Sequence, residues 1–72
     1  MVANFKIKIR KIENGGYFVI EIDREFENKY QAQNELTNMN KNGLIYVDPT
    51  SNLEIQKCYP PHRILEILFE IK

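Results

Sequence analysis

Seventy-two residues predict one domain, 1–72, with no room for a second. Ten basic and ten acidic side chains cancel to a formal net charge of zero, so no global field draws the chain toward nucleic acid or an anionic membrane. Cys58 is the only cysteine, and no run reaches the roughly 18 apolar residues of a membrane span, which excludes a disulfide scaffold and a transmembrane helix.

The amino terminus alternates charge with Ile instead of forming an apolar signal core, so a cytoplasmic location is the expectation. With 43% hydrophobic and 28% charged residues the composition is globular. A chain this short buries only about 60% of its unfolded surface, and self-association would relieve a thin core. Heavy use of Ile, Asn and Lys is what AT-rich coding produces, as in low-GC bacteria and their phages.

Phe5, Ile7 and Ile9 alternate with Lys6, Lys8 and Arg10. Phe18, Ile20 and Ile22 alternate with Val19, Glu21 and Asp23, and Asn14-Gly15-Gly16 between the runs tolerates positive φ. A two-residue Asn14-Gly15 turn predicts an antiparallel hairpin with Ile9 opposite Ile20, Ile7 opposite Ile22, Lys8 opposite Glu21 and Lys6 opposite Asp23. A three-residue loop would oppose Arg10 to Ile20 and waste both kinds of cross-strand pair.

Arg24 to Asn42 lacks Pro and Gly and is long enough for a helix. Phe26, Tyr30, Ala32, Leu36 and Met39 form its broad apolar face. Asn28 with Gln31 three residues on suggests a capping box and a start near Lys29, with Asp23 as an earlier candidate cap. Gly43 is the natural terminator.

Leu44 to Val47 and Leu53 to Tyr59 predict a second hairpin across Asp48 to Asn52, with Val47 opposite Leu53 and Ile45 opposite Ile55. Pro60-Pro61 stops the ladder and begins a turn to Arg63. The segment from Leu65 to Ile71 alternates as a strand does, although His62, Glu66 and Glu70 also fall on one side of a helix; its Ile and Phe content favours strand.

Few residues suggest chemistry. Cys58 and His62 make at most half a structural zinc site, and as a thiolate–imidazole pair they lack a visible orienting group. Ser51, the single serine, sits where turns favour serine, and Glu66 with Glu70 reads as solvated surface. Gly15-Gly16 lacks the lysine and helix of a phosphate loop. No catalytic residue, metal set or cofactor is expected.

Lys6, Lys8, Arg10 and Lys11 cluster near Tyr17, a combination that single-strand nucleic-acid binders use to stack bases. Glu21 and Asp23 opposite these lysines weaken that field. The segment Pro60-Pro61-His62-Arg63-Ile64, followed by Leu65-Glu66-Ile67, resembles a Pro-x-His-Arg-Ile pattern in a family of small archaeal proteins sometimes linked to RNA repair. The resemblance implies contact with RNA, assigns no catalytic role, and touches nothing in the amino-terminal half.

The expected fold is a small α+β domain of order β-β-α-β-β-β, a mainly antiparallel sheet with one face on a single helix. Its core would hold Ile7, Ile9, Phe18, Ile20, Ile22, Leu36, Ile45, Val47, Ile55, Ile67 and Phe69. The expected function is non-enzymatic, the binding of a protein partner or of a second copy by a phage or mobile-element protein, with RNA or single-stranded DNA binding as the alternative. Arg10, Ile12, Tyr17, Val19, Leu44 and Tyr46 are the candidate partner-binding residues, with Leu68 also outward, because a single helix covers one sheet face only.

Overall fold

The computed structural model describes residues 1–47 and 56–72. The elements run β1 (Val2–Arg10), β2 (Tyr17–Glu25), α1 (Lys29–Asn42), β3 (Leu44–Val47), β4 (Gln56–Tyr59), a 3-10 turn (Pro61–Arg63) and β5 (Ile64–Ile71). The chain is therefore α+β in the expected order, and Leu65 to Ile71 is strand. The strands form two antiparallel sheets, a three-stranded one ordered β2-β1-β5 and the pair β3-β4.

Central placement explains β1. Its odd residues Ala3, Phe5, Ile7 and Ile9 are wholly buried, because neighbours flank them on both sides and a second layer covers them. That layer holds α1, through Ala32, Leu36 and Met39, and the β3-β4 hairpin, through Leu44, Tyr46 and Tyr59. Phe5 is the centre, with Phe69 at 5.3 Å and Phe26 at 6.2 Å between ring centroids. Ala3, Phe5, Ala32, Met39 and Leu44 join the core beyond the residues expected there.

The first hairpin keeps its faces but not its register. Ile9 faces Phe18, Ile7 faces Ile20, Phe5 faces Ile22, Lys8 faces Val19 and Lys6 faces Glu21. A shift by two residues preserves which side chains point inward, so alternation alone does not distinguish the registers. The expected pairing sets Phe5 against Arg24 and Phe18 against Lys11, whereas the observed one gives three apolar pairs in a row. The turn enlarges accordingly: Asn14, Gly15 and Gly16 all have positive φ (65°, 63° and 84°), and Lys11 N–H donates to the Gly16 carbonyl at 3.1 Å.

The helix begins where the cap sequence says. The Asn28 side chain accepts from Gln31 N–H at 3.1 Å, and the Gln31 side-chain oxygen accepts from Glu27 N–H at 3.0 Å. Asp23 and Arg24 belong to β2 instead. Tyr30 leaves the predicted apolar face and is exposed, with the Lys29 ammonium 5.6 Å from its ring centre.

The faces of β3 are the reverse of those expected. Leu44 is 1% exposed and Tyr46 packs against the core, while Ile45 and Val47 are 54% and 52% exposed. All four residues are apolar, so the pattern carries no parity. Gly43 decides it: its N–H bonds the Met39 carbonyl at 2.9 Å, and Leu44 follows directly from the buried end of the helix. Leu44 then pairs with Tyr59, Ile45 with Cys58 and Val47 with Gln56, in place of Ile45 with Ile55 and Val47 with Leu53. The predicted turn Asp48 to Asn52, Ser51, and the core assignment of Ile55 lie outside the described residues.

Candidate interaction surface

Two of the six candidate residues change sides. Leu44 is buried and Tyr46 lies between the layers, its ring stacked on Tyr59 at 6.2 Å. Neither points outward as expected, although Tyr46 stays partly exposed. Arg10, Tyr17 and Val19 do come together on the face of the three-stranded sheet opposite the core, and Ile12 sits in the adjoining turn, 84% exposed.

Register builds this open face row by row. Even residues of β1 share it with odd residues of β2, giving the pairs Arg10 with Tyr17, Lys8 with Val19, Lys6 with Glu21 and Asn4 with Asp23. On the other side of β1, Glu66 stands beside Lys8, Leu68 beside Lys6 and Glu70 beside Asn4. No element among the described residues covers these side chains. Leu68 and Val19, each 55% exposed, lie within a frame of charge.

The charges are partly matched. Lys8 Nζ lies 3.5 Å from Glu66 and 4.4 Å from the centre of the Tyr17 ring, and Lys72 Nζ is 3.3 Å from Asp23. Arg10 and Lys11 have no ion pair among the described residues and Arg10 stands opposite Tyr17, so the end of the sheet nearest the first turn is basic and aromatic. A shallow depression of about 290 Å³ between β1 and β5 is lined by Asn4, Lys6, Leu68, Phe69 and Glu70.

Asn4 is the residue that sequence reading missed. It is only 3% exposed, and its amide donates to Glu21 Oε1 and Asp23 Oδ1, both at 2.9 Å. One donor group thus holds two neighbouring carboxylates that would otherwise repel. The signal was available, since Asn4 is the single uncharged polar residue on the outward face of β1, but its partners depend on register. The Asn4 hydrogen bond, and then Lys72, hold the Asp23 carboxyl below its ordinary value.

The sign of this linkage follows directly. Asp23 stabilises the fold fully above its ordinary value near 3.8, and the contribution is lost as pH falls through the lowered folded-state value. Asn4→Ala is expected to return the Asp23 titration toward the ordinary value, measured by carboxyl carbon NMR. An unchanged Asp23 titration in the variant contradicts the assignment.

No family model matches the chain, and neither curated proteins nor solved structures yield a match. The Arg63 guanidinium donates twice to the Arg10 carbonyl, at 3.1 and 2.7 Å, and lies 5.3 Å from the centre of the Tyr59 ring. Ile64 faces inward opposite Ile9. These contacts tie the 3-10 turn to the end of β1, which is a structural task. Cys58 and His62 are exposed, and the described residues contain no cluster of three or more metal-ligating side chains. Nor is any described helix long and apolar enough to cross a membrane.

Proposed function

We propose that this chain is a non-enzymatic protein-binding module that engages its partner through the open face of the three-stranded sheet. The observation that carries the reading is the uncovered face itself, where Tyr17 and Val19 on β2 and Leu68 on β5, each about half-exposed, flank Lys6 and Arg10 of β1, which have no ion pair among the described residues. Apolar groups rimmed by charge are the usual make-up of a recognition patch. The matching partner is a protein surface that offers apolar side chains to Val19 and Leu68 and carboxylates to the basic end. A Tyr ring at such a patch is a frequent anchor.

RNA or single-stranded DNA is the second reading, and the Lys8–Tyr17 contact beside Arg10 and Lys11 is what favours it. Against it, Lys8 is paired with Glu66 and Lys6 stands opposite Glu21, which reduces the positive field.

The test is affinity capture from the native host by the parent chain and by Tyr17→Ala and Tyr46→Ala, with and without nuclease. We expect a nuclease-resistant protein that the parent retains and Tyr17→Ala loses at least tenfold, while Tyr17→Ala melts within a few degrees of the parent. Tyr46→Ala is expected to lose about 2 kcal/mol of stability, because its ring packs between the layers. Bound material that disappears with nuclease moves the face to the second reading. Equal capture by parent and Tyr17→Ala removes it as a binding face.

A further inference from the structure

The three-stranded sheet ends on β2 and β5, and the two edges differ. Both edges meet the second layer, β5 through α1 and β2 through β3, where the Arg24 guanidinium donates to the Ile45 carbonyl at 3.0 Å and a depression of about 350 Å³ is lined by β2 residues with Tyr46 and Val47. The edge strand β2 carries Glu21, Asp23, Arg24 and Glu25. In β5, by contrast, only Glu66 and Glu70 interrupt Ile64, Leu65, Ile67, Leu68, Phe69 and Ile71. Natural edges are usually blunted by Lys, Pro or a bulge. The irregularity between β1 and β5 lies at Leu65, so the ladder from Glu66 onward is regular.

Which backbone groups of β5 are free follows from one hydrogen bond. Lys72 N–H donates to the Val2 carbonyl at 2.9 Å, so even-numbered residues of β5 turn their backbone groups toward β1. Ile67, Phe69 and Ile71 therefore turn theirs outward. Three successive outward positions with no described strand beside them are a template for another strand.

We infer that β5 pairs antiparallel with β5 of a second copy of this chain, about a two-fold axis at Phe69, joining two three-stranded sheets into one of six. This rests on the reading of the chain as an interaction protein and names one of its partners. Outward groups must meet outward groups, so the symmetric pairing is centred on Ile67, Leu68 or Phe69. Centring on Leu68 sets Glu66 against Glu70 of the second copy, two like charges. Centring on Ile67 draws Leu65 and the irregularity into the ladder. Centring on Phe69 sets Ile67 against Ile71 on the core face, covering Ile71, which is 40% exposed. On the open face it sets Glu66 against Lys72 and Leu68 against Glu70 of the second copy.

The charge pattern supports this register. Lys8–Glu66 and Asp23–Lys72 pairs already exist within each chain. The proposed pairing joins them end to end, so that Lys8, Glu66, then Lys72 and Asp23 of the second copy alternate in sign across the seam. Opposite charges directly across a strand pair favour it, and like charges oppose it. The two open faces become one continuous surface, which matches the thin core of so short a chain to a larger assembly.

Sedimentation of the full chain over a range of concentrations should show a reversible monomer–dimer equilibrium. Amide exchange at Ile67, Phe69 and Ile71 should slow as concentration rises, while Leu68 and Glu70 stay protected throughout. Glu66→Lys and Lys72→Glu each alter a half-exposed residue and should melt near the parent. Each alone should weaken dimerisation about tenfold, and mixing the two should restore it as a heterodimer. A chain that stays monomeric up to about 1 mM, a dimer whose protected amides lie in β2, or charge variants that dimerise as tightly as the parent would overturn the pairing. Tyr17→Ala should leave the dimer intact. A normal dimer with failed Tyr17-dependent capture counts against the binding face alone, and the opposite result counts against the pairing alone.

Discussion

Gly43→Ala is expected to cost about 3 kcal/mol or more and to bring the chain toward the edge of unfolding. Gly43 has φ 91° and ψ −175°, a region that only glycine occupies without strain. A Cβ placed there meets the Tyr59 carbonyl oxygen well inside contact distance, and Pro60 Cα at 3.1 Å. Backbone strain and overpacking add, because both neighbours are main chain and yield only by moving β4 away from β3. Gly15→Ala is the control: its φ is 63°, yet nothing lies within 4 Å of the added methyl, so about 1 kcal/mol is expected from backbone strain alone. Chemical denaturation of both variants checks the contrast. Equal midpoints would mean that the close approach at Tyr59 does not hold β3 to β4.

Phe5→Ala is the second large effect, a loss of about 3–5 kcal/mol. A domain of this size holds roughly 4–11 kcal/mol in total, so the variant sits at the edge of unfolding. Phe5 has no exposed surface, touches rings from β5 and from the segment before α1, and stands opposite Ile22 on β2. Its removal leaves a cavity that several elements border, and none of them is free to close it. Ile9, equally buried but smaller and near the end of β1, should lose less when replaced by Val, about 1 kcal/mol. Thermal melts of the two variants rank them, and a Phe5→Ala protein as stable as Ile9→Val would move the centre of the core elsewhere.

These two positions explain why the candidate surface lies where it does. Phe5, Ile7 and Ile9 commit one face of β1 to the core, so Lys6, Lys8 and Arg10 must face away, and Tyr17 and Val19 follow by register. The helix and the β3-β4 hairpin fill the second layer, and Gly43 joins them. The opposite face of the sheet is left uncovered among the described residues. The β5 edge beside it presents Leu65 and Leu68, which are 42% and 55% exposed, next to Glu66, whose carboxylate already meets Lys8 within the chain.

The amino-acid sequence by itself determined the elements and most of their faces. Period-two alternation in residues 5–9 and 18–23 states which side chains go inward, because a strand side chain has only two directions. Asn28 and Gln31 set the start of the helix, and Gly43 set its end, through local hydrogen bonds and a local φ. Tertiary structure alone decided three things. A two-residue slip of the first hairpin leaves every face unchanged, so only the summed fit of Phe5, Ile7 and Ile9 against Ile22, Ile20 and Phe18 selected the register. The all-apolar run Leu44 to Val47 carries no alternation, and the buried end of α1 chose Leu44 and Tyr46 as its inner side. Asn4 looked like an ordinary strand residue until register placed Glu21 and Asp23 within reach of one amide. In each case the missing information was a distance between residues far apart in the chain, which periodicity does not contain.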